Sequence, residues 1–446
     1  MRHVLIIHCH YLPVHNVAVK RLASYAARLP RYGWRPVVLT REWRGADEAA
    51  PSWGLTWEPE LERAAEYPIY RTRAVDGARR SRRVQAVAAQ RAPSPQPWLR
   101  YQAGKAARKA ERMHRLLLGG YPDEFRGWLR PALAEGVRVA ARHPLDAILS
   151  YCPPETNHLV AARLARRLGI PWVPFFADLY GFLDPPLPPH SVEGVLRKAW
   201  HRRCLAPAAA CAAVSPAMVE YLATTYGKRV ELVLTGFDPD ASQAETATAP
   251  PRDRLILSHI GSVYPGDQRP EILFDGLDRL LREHPEAASR LEVRFVGSKC
   301  DAQLRAMLDG RPAAQVCVIR PVVNAATAGT LLRESHAVLA FTCTAHRDRY
   351  GTLSYPTKIF EAFGAARPIL AVPSDGDYVD ALLARTGAGV SARDAAEVAG
   401  RLGEWLHAWS RTGEVPYHGR RAVLAEFTLD RQVERLAGLL DGVAGR

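Results

Sequence analysis

The chain has 446 residues, is 48% hydrophobic and carries a formal charge of +14. This length and apolar content predict two α/β domains with sizeable cores. No run approaches the ~18–20 apolar residues that span a bilayer, which excludes a transmembrane helix.

The compartment is indicated by the cysteines and by the start of the chain. Seven cysteines are scattered without a Cys-x-x-Cys pair, which favours reduced, mostly buried thiols over a zinc site. The first apolar run, residues 4–7, is too short for the core of a signal peptide. We therefore expect a cytoplasmic protein.

The first domain opens with a β-loop-α-β pattern. Residues 3–7 form an apolar run typical of a buried strand, and Leu22 and Leu29 recur at helical spacing before Gly33. Residues 36–40 form the next strand. Such a unit belongs to a parallel sheet, whose ligands bind in the loops at the carboxyl ends of the strands.

His8, Cys9 and His10 directly follow the first strand. Alternation along a strand puts His8 and His10 on one side. A metal site needs more ligands than this pattern offers. Two interpretations stay open: a pair of histidines facing the cleft between the domains, or a pair that is simply packed or exposed.

A basic segment near residues 71–118 holds most of the positive charge. Between Arg71 and Arg115 there are thirteen basic residues against two acidic ones. Residues 98–118 read as a helix with one basic face, which suits an anionic membrane surface, where each basic residue contributes roughly 1 kcal/mol. A solvated insertion is the alternative. The nearly neutral remainder of the chain argues against nucleic acid as a partner.

Strand-helix alternation resumes after the basic segment. Asp178 directly follows a predicted strand, and residues 239–252, rich in Ala, Thr and Pro, read as a linker. The predicted strands of this part are residues 146–150, 170–176, 208–214 and 230–234.

The second domain repeats the alternation from residue 253. Its first strand runs into a Gly/Ser loop, residues 261–270, whose backbone N–H groups suit a phosphate. Arg320 and Val323 follow a later strand, and residues 430–440 form a final amphipathic helix. The predicted strands are residues 255–260, 293–297, 316–319, 337–341 and 369–372.

The stretch from Tyr350 to Pro373 reads as a polar loop, a short helix, a turn and a buried strand. Pro356 precedes the helix, and Thr357 is the predicted N-cap. The helix N-terminus favours an anion, and Lys358 and Glu361 lie in the first turn. A cation and a carboxylate beside an anion site suit a sugar nucleotide, which carries both phosphates and hydroxyls.

This stretch resembles the donor-binding signature of GT-B glycosyltransferases of the family 4 type. In that family a helix with Glu-Ala, followed by Gly-x-Pro and a strand, holds the nucleotide; here these are Glu361-Ala362, Gly364 and Arg367-Pro368. Residues 356–361 match the related pattern Pro-x-Lys-x-Phe-Glu. The first carboxylate of the family's Glu-x7-Glu pair is replaced by Leu353. Looser matches outside residues 41–120 include Pro13, Asn16, Gly33-Trp34, Ser150, Pro153-Pro154, His158 and Asp178-Leu179-Tyr180.

The resemblance implies the GT-B fold, in which two Rossmann-like parallel-sheet domains face a cleft. Residues 1–238 would form the acceptor-side domain, with the basic insertion near 71–118. A linker over 239–252 would lead to a nucleotide-sugar-binding domain, residues 253–425. Residues 426–446 would form a helix that crosses back to the first domain.

The resemblance also implies site residues. Asp178, Arg269 and Lys358 are the predicted catalytic residues. The predicted donor-binding residues are Gly261, Ser262, Arg269, Arg320, Val323, Ser354, Thr357, Lys358 and Glu361. The predicted acceptor-side residues are His15, Asn16, His158 and Asp178. Residues 238–240 and 375–377 match Asp-x-Asp, the metal motif of the other glycosyltransferase fold, but two Rossmann-like halves are the wrong context, so no metal is expected.

The implied activity is that of a retaining, metal-independent glycosyltransferase. It would move a sugar from a nucleoside-diphosphate sugar, its substrate, to a hydroxyl acceptor, with no cofactor. Polysaccharide, glycolipid or glycoconjugate biosynthesis is the expected setting, with a lipid-linked acceptor if residues 79–118 hold the protein on the inner face of a membrane. The alternative, motivated by Leu353, is a catalytically degenerate GT-B protein that binds a glycan or a partner. An epimerase of this fold would need a carboxylate pair and a histidine that the sequence does not reveal.

The basic segment generates a direct prediction. Removal of residues 79–115 should abolish sedimentation of the protein with anionic liposomes, because the cationic groups that attract the lipid are lost. Liposomes of zwitterionic lipid are the control. Sedimentation unaltered by the deletion would rule out the membrane role.

Overall fold

The computed structural model describes residues 1–45, 56–74, 123–179, 192–239, 250–265, 268–343 and 355–445. The predicted membrane-binding residues 79–118 and the predicted donor-binding Ser354 lie outside this part. The chain divides into two compact units. Unit 1 comprises Met1–Val214, Met218–Val233 and Val433–Arg446, and unit 2 comprises Ser215–Ala217 and Leu234–Gln432.

Unit 1 is built on a seven-stranded sheet whose neighbouring strands are all parallel, as the sequence predicts. The order across the sheet is β5-β3-β1-β6-β7-β8-β9, and β2 pairs separately with β4. The strands are β1 (Arg2–Ile7), β2 (Val14–His15), β3 (Trp34–Arg41), β4 (Thr56–Trp57), β5 (Ile69–Thr72), β6 (Leu145–Cys152), β7 (Trp172–Phe176), β8 (Cys211–Ala213) and β9 (Val230–Leu232).

The helices of unit 1 connect these strands. Asn16 caps the first helix by accepting a hydrogen bond from the Val19 N–H at 2.9 Å. The same segment ends at Gly33, whose φ of +83° is left-handed and favours glycine. The helices are α1 (Val17–Arg28), α2 (Pro59–Arg63), α3 (Leu129–Arg142), α4 (Thr156–Leu168), α5 (Val192–Leu205) and α6 (Pro216–Tyr226), with 3₁₀ turns at Leu29–Tyr32 and Glu124–Trp128.

Unit 2 contains a six-stranded parallel sheet in the order β12-β11-β10-β13-β14-β15. Its strands are β10 (Leu255–Ile260), β11 (Leu291–Val296), β12 (Cys317–Arg320), β13 (Ala337–Phe341), β14 (Ile369–Val372) and β15 (Gly389–Ser391). The first strand of the sheet lies between the second and the fourth. Successive connections therefore leave β10 and β13 in opposite directions, which opens a crevice at their carboxyl ends.

The core of unit 2 includes Leu257, Phe274, Phe295 and Leu402. The helices that follow β10 are α7 (Pro270–Glu283), α8 (Ala287–Arg290), α9 (Asp301–Leu308), α10 (Ala325–Arg333), α11 (Lys358–Gly364), α12 (Tyr378–Thr386), α13 (Ala395–Thr412), α14 (Arg421–Leu424) and α15 (Leu429–Val443), with 3₁₀ turns at Pro312–Gln315 and Ala425–Phe427. No helix in the described part of the chain is long and apolar enough to cross a membrane.

The last helix begins in unit 2 and continues into unit 1. Within unit 2, Phe237 donates its N–H to the Phe427 carbonyl at 3.1 Å and accepts from the Leu429 N–H at 2.7 Å. Within unit 1, the Asp441 carboxylate accepts from Arg2 at 3.0 Å and from the Trp34 indole at 3.2 Å. Both ends of α15 are thus fixed by specific polar contacts.

Candidate functional site in unit 2

The loop after β10 and the first turn of α11 meet at the carboxyl edge of the unit 2 sheet. Gly261 follows β10 with a φ of +109°, a backbone conformation that favours glycine. The Nζ of Lys358 lies 3.5 Å from the position that a Cβ at Gly261 would occupy. The structure therefore brings together two predicted donor-binding residues that are almost a hundred positions apart.

Lys358 is a partly buried cation at this meeting point. Burial lowers the pKa of Lys358 to about 8, while the negative charge of Glu361 acts in the opposite direction. Its ammonium group therefore remains mostly charged at neutral pH, although water no longer fully solvates it. An anion that approaches Gly261 would meet this charge at close range.

Glu361 and Thr357 frame Lys358 on the same segment. Glu361 is exposed and lies one turn after Lys358, so the two side chains are neighbours on α11. Thr357 is the N-cap residue, as predicted, but its backbone is α-helical and its side chain makes no capping hydrogen bond. Thr357 thus begins the helix without the side-chain bond that usually accompanies this position.

The Gly261-Ser262 loop is fixed by backbone and side-chain bonds. Gly261 donates its N–H to the Val296 carbonyl at 2.7 Å, and Val263 donates to the Ser298 carbonyl at 3.0 Å. Gln268 accepts from the Tyr264 N–H at 2.9 Å and donates to the Phe341 carbonyl at 3.3 Å. The loop is consequently attached both to β11 and to β13.

His259, which the sequence did not single out, lies beneath this loop. Its side chain is buried on β10, with Nδ1 3.1 Å from the Leu339 carbonyl oxygen and Nε2 3.2 Å from the Ser262 carbonyl oxygen. Burial, and after it the charge of Lys358, hold the pKa of His259 well below 6.5. The available signal was an imidazole in a mostly apolar strand just before the glycine loop.

The other predicted donor residues lie on neighbouring elements. The Arg269 guanidinium, just before α7, forms an exposed ion pair with Glu271 at 3.1 Å. Arg320, at the end of β12, lies 3.7 Å from Glu292, so its side chain follows the sheet face. Val323 is half-buried in the loop after β12. The contacts in the described part of the chain do not join these three residues to Lys358.

In unit 1, Asp178 is placed as the sequence analysis expects. It is exposed and follows β7 at the carboxyl edge of the sheet, where the Ala177 N–H continues the ladder to the Cys152 carbonyl at 3.0 Å. Its charge is one of the causes that raise the pKa of Tyr151 and of Cys152, after burial. Asp178 therefore presents a carboxylate at the edge where a ligand of unit 1 would bind.

The remaining acceptor-side predictions fall on residues with structural contacts. Asn16 caps α1, and His15 contributes its backbone to β2. His158 is buried, with its Nδ1 2.7 Å from the Ser150 hydroxyl, which also accepts from the Trp172 indole at 2.7 Å. Burial, and then the charges of His201 and His8, lower the pKa of His158 to about 3. These contacts make His158 a neutral core histidine.

The histidine pair after β1 is buried, so it does not present two exposed ligands. The Nε2 of His8 lies 3.0 Å from the Pro153 carbonyl oxygen, and its Nδ1 contacts the backbone of His10. The His10 ring packs against Phe125 with a centroid distance of 4.7 Å. Both histidine rings are therefore packed among other side chains, which is the second of the two interpretations that the sequence left open.

The Asp375-Gly376-Asp377 triplet has a structural use. Asp375 is buried, and its carboxylate accepts hydrogen bonds from the N–H groups of Asp377, Val379 and Asp380 at 3.0, 2.9 and 3.1 Å. These bonds cap α12. Among the described residues, no group of three or more His, Cys, Asp or Glu side chains is arranged to hold a metal ion.

The comparisons with known proteins establish the fold. HepE of Anabaena, solved in complex with UDP and glucose, has 14% identity and a TM-score of 0.60 over 99% of this chain and 100% of its own. Sucrose-phosphate synthase of Thermosynechococcus elongatus has 13% identity and a TM-score of 0.57 over 99% of each chain. A glycosyltransferase from Rickettsia africae has 11% identity and a TM-score of 0.57 over 99% of this chain and 98% of its own. The fold is therefore GT-B, as the sequence predicts.

No family model matches the sequence, and no curated protein matches it. At identities of 11–14%, the solved structures show a common fold and leave the chemistry of this chain to its own residues. The family 4 assignment stays a prediction.

The left-handed glycine beside Lys358 generates a prediction on stability. Gly261→Ala should lower the free energy of unfolding by about 1–3 kcal/mol, because an L side chain is strained at this φ. Urea denaturation of the full chain measures the change. Gly400→Ala is the matched control: Gly400 is exposed in α13, has no atom within 4 Å of an added Cβ, and should gain up to about 1 kcal/mol. Equal stability of the Gly261→Ala variant and the parent chain would show that this backbone is unstrained.

Proposed function

We propose that this protein is a glycosyltransferase that moves a sugar from a nucleoside-diphosphate sugar to a hydroxyl acceptor. The observation that carries the proposal is the Lys358 ammonium group set against Gly261 at the carboxyl edge of the unit 2 sheet. An unhindered backbone beside a poorly solvated cation suits a diphosphate, which needs close approach and positive charge.

Lys358 has the central role in the proposed transfer. When the bond between the sugar and the β-phosphate breaks, its electron pair goes to a phosphate oxygen and negative charge develops there. The Lys358 ammonium is already positioned and partly desolvated, so it stabilises this charge without reorganising in the transition state. Arg269 contributes to binding if donor phosphate displaces Glu271 from its guanidinium.

Glu361, Arg320 and Val323 bind the nucleoside part of the donor in this proposal. The exposed Glu361 carboxylate accepts hydrogen bonds from ribose hydroxyls, a binding role that orients the nucleotide. Arg320, at the end of β12, and Val323, in the loop after it, are the proposed contacts to the base, as the family resemblance implies. HepE, which shares the fold, was solved with UDP and with UDP-glucose, which supports a uridine nucleotide as the first donor to try.

The acceptor side and the stereochemistry follow from the family resemblance. Asp178 is the proposed acceptor-side carboxylate, since it is exposed at the carboxyl edge of the unit 1 sheet. We propose retention of anomeric configuration without a metal, in polysaccharide, glycolipid or glycoconjugate biosynthesis. A lipid-linked acceptor fits the basic residues 79–118, which would hold the enzyme at an anionic membrane surface inside the cell.

A second candidate function is a GT-B protein that binds a glycan or a partner without catalysis. Two observations favour it: Leu353 replaces a carboxylate of the family signature, and the Arg269 guanidinium is already paired with Glu271. The two candidates differ in nucleotide binding, which the transferase requires and the degenerate protein lacks.

Nucleotide binding is tested by calorimetric titration of the protein with UDP, GDP, ADP and dTDP without added metal. We expect one diphosphate to bind, and Glu361→Ala to weaken that binding by about 1–3 kcal/mol, the range for a lost hydrogen bond to a charged group. The control is Glu283→Ala, which removes an exposed carboxylate that pairs with Arg279 on α7 and should leave the affinity unchanged. Failure of all four diphosphates to bind would favour the degenerate protein, and an unchanged affinity in Glu361→Ala would remove Glu361 from the site.

The Lys358 charge generates a prediction on pH. The pKa of Lys358 is depressed to about 8, so the binding-competent ammonium is present below that pH and lost as the pH rises through it. The affinity for the diphosphate should fall roughly tenfold between about pH 7 and pH 9. Calorimetry across this range measures the fall.

Variants at the same position separate the charge from other causes. Lys358→Arg keeps a charge that does not titrate here, so its affinity should stay level over the same pH range. Lys358→Met should bind weakly at every pH. A fall of equal size in Lys358→Arg would assign the pH dependence to another group.

A further inference from the structure

His259 occupies the point where two strands of the unit 2 sheet part. β10 and β13 are paired at Leu257–Ala337 and at Ser258–Val338, and the ladder ends there. The carbonyl oxygen of Leu339, the next residue on β13, lies 3.1 Å from the His259 Nδ1. The imidazole thus fills the beginning of the crevice that β10 and β13 open.

The other ring nitrogen of His259 reaches the donor loop. Nε2 lies 3.2 Å from the Ser262 carbonyl oxygen, one residue beyond Gly261. The imidazole is therefore a bridge from β13 to the loop that Lys358 faces. Any shift of the ring would move the backbone against which a diphosphate would lie.

This bridge needs two protons, and a neutral imidazole has one. Carbonyl oxygens only accept, and a neutral histidine donates from one ring nitrogen, whereas an imidazolium donates from both. In the protein without ligand, one nitrogen therefore turns a lone pair toward a carbonyl oxygen. The second hydrogen bond would form if the ring gained a proton.

The surroundings explain why the ring is neutral before a ligand binds. The side chain is buried, and the rings of Phe341 and Phe295 lie 5.0 and 6.3 Å from it on β13 and β11. The charged group that faces it is Lys358 from α11, whose positive charge disfavours an imidazolium, as burial also does. Glu361 acts on Lys358 from the same helix.

We propose that His259 positions the Gly261-Ser262 loop for the donor diphosphate and takes up a proton when that diphosphate binds. The proposal rests on the function proposed above, because the diphosphate supplies the negative charge. Phosphate beside Lys358 cancels the repulsion that opposes an imidazolium, and the proton then comes from solvent and completes the second carbonyl bond. No covalent bond changes in this step.

The uptake is measured by calorimetry at about pH 6.5, with UDP-glucose, GDP-mannose, ADP-glucose and dTDP-glucose as probes, in buffers of different ionisation enthalpy. The dependence of the binding enthalpy on that of the buffer gives the number of protons taken up. Nucleotide sugars replace diphosphates here because a terminal phosphate titrates near pH 6 and would add protons of its own. Lys358 is already charged at this pH, so it contributes little.

The expected result is a measurable fraction of a proton taken up per bound donor in the parent chain, because the phosphate offsets the charge of Lys358 while the ring stays buried. His259→Gln, which keeps a hydrogen-bond donor but cannot titrate, should bind with less than a tenfold loss of affinity and no uptake. His284→Gln is the matched control, since His284 is exposed at the end of α7 and should leave the uptake intact. A purely structural role of His259 would change affinity without changing proton number.

Three results would overturn the proposal. A binding enthalpy that does not vary with the buffer in the parent chain would show that no proton is taken up. This result would overturn the proposal even if the His259→Gln variant fails to fold. Full uptake in a folded His259→Gln variant would assign the proton to another group. Failure of the parent chain to bind any of the four nucleotide sugars would overturn the proposed function and this inference together, which distinguishes it from the first two results.

Discussion

A partly buried ammonium group held beside the Gly261 backbone is the interaction on which the proposed donor site depends. Lys358 is placed by the first turn of α11, and Gly261 by the end of β10, and neither alone would make a site for a diphosphate. A side chain at Gly261 would fill the space beside the cation and would be strained at a φ of +109°. The glycine therefore has two functions: it permits the turn out of β10 and leaves room beside the charge.

The proximity of Lys358 and Gly261 could be predicted from the sequence, because the carboxyl ends of parallel strands lie at the same edge of a sheet. Both Lys358 and Gly261 follow patterns that can be read locally, an apolar strand before the glycine and an amphipathic helix after Pro356. The rule that ligands bind at the carboxyl ends of parallel strands then joins them without any knowledge of the contact. The same reasoning placed Asp178 correctly after β7, and it gave the two parallel sheets whose likeness to known structures establishes the GT-B fold.

Side-chain orientation was beyond the sequence patterns. Asn16 and His158 lie in stretches that resemble the family, yet Asn16 caps α1 and the Nδ1 of His158 bonds Ser150 in the core. Arg269 is next to the donor loop, but its partner is Glu271 on the following helix turn. His259 was missed for the opposite reason: a strand pattern shows that a residue is buried but not which carbonyl oxygens its side chain reaches. Each of these outcomes depends on tertiary contacts, which spacing along the chain does not encode.

The arrangement in unit 2 is costly without a ligand, and that cost has a physical use. Burial disfavours the charge on Lys358, and burial together with that charge keeps His259 neutral between two carbonyl oxygens. In the proposed function, negative charge beside Gly261 would stabilise the Lys358 ammonium and offset its repulsion of a protonated His259. A site built in this way binds an anion more tightly than a neutral ligand of the same shape, since only the anion removes the penalties. In the proposed transfer, its positive charge would be in place before the sugar-phosphate bond breaks, which is the condition under which electrostatic stabilisation lowers a barrier most.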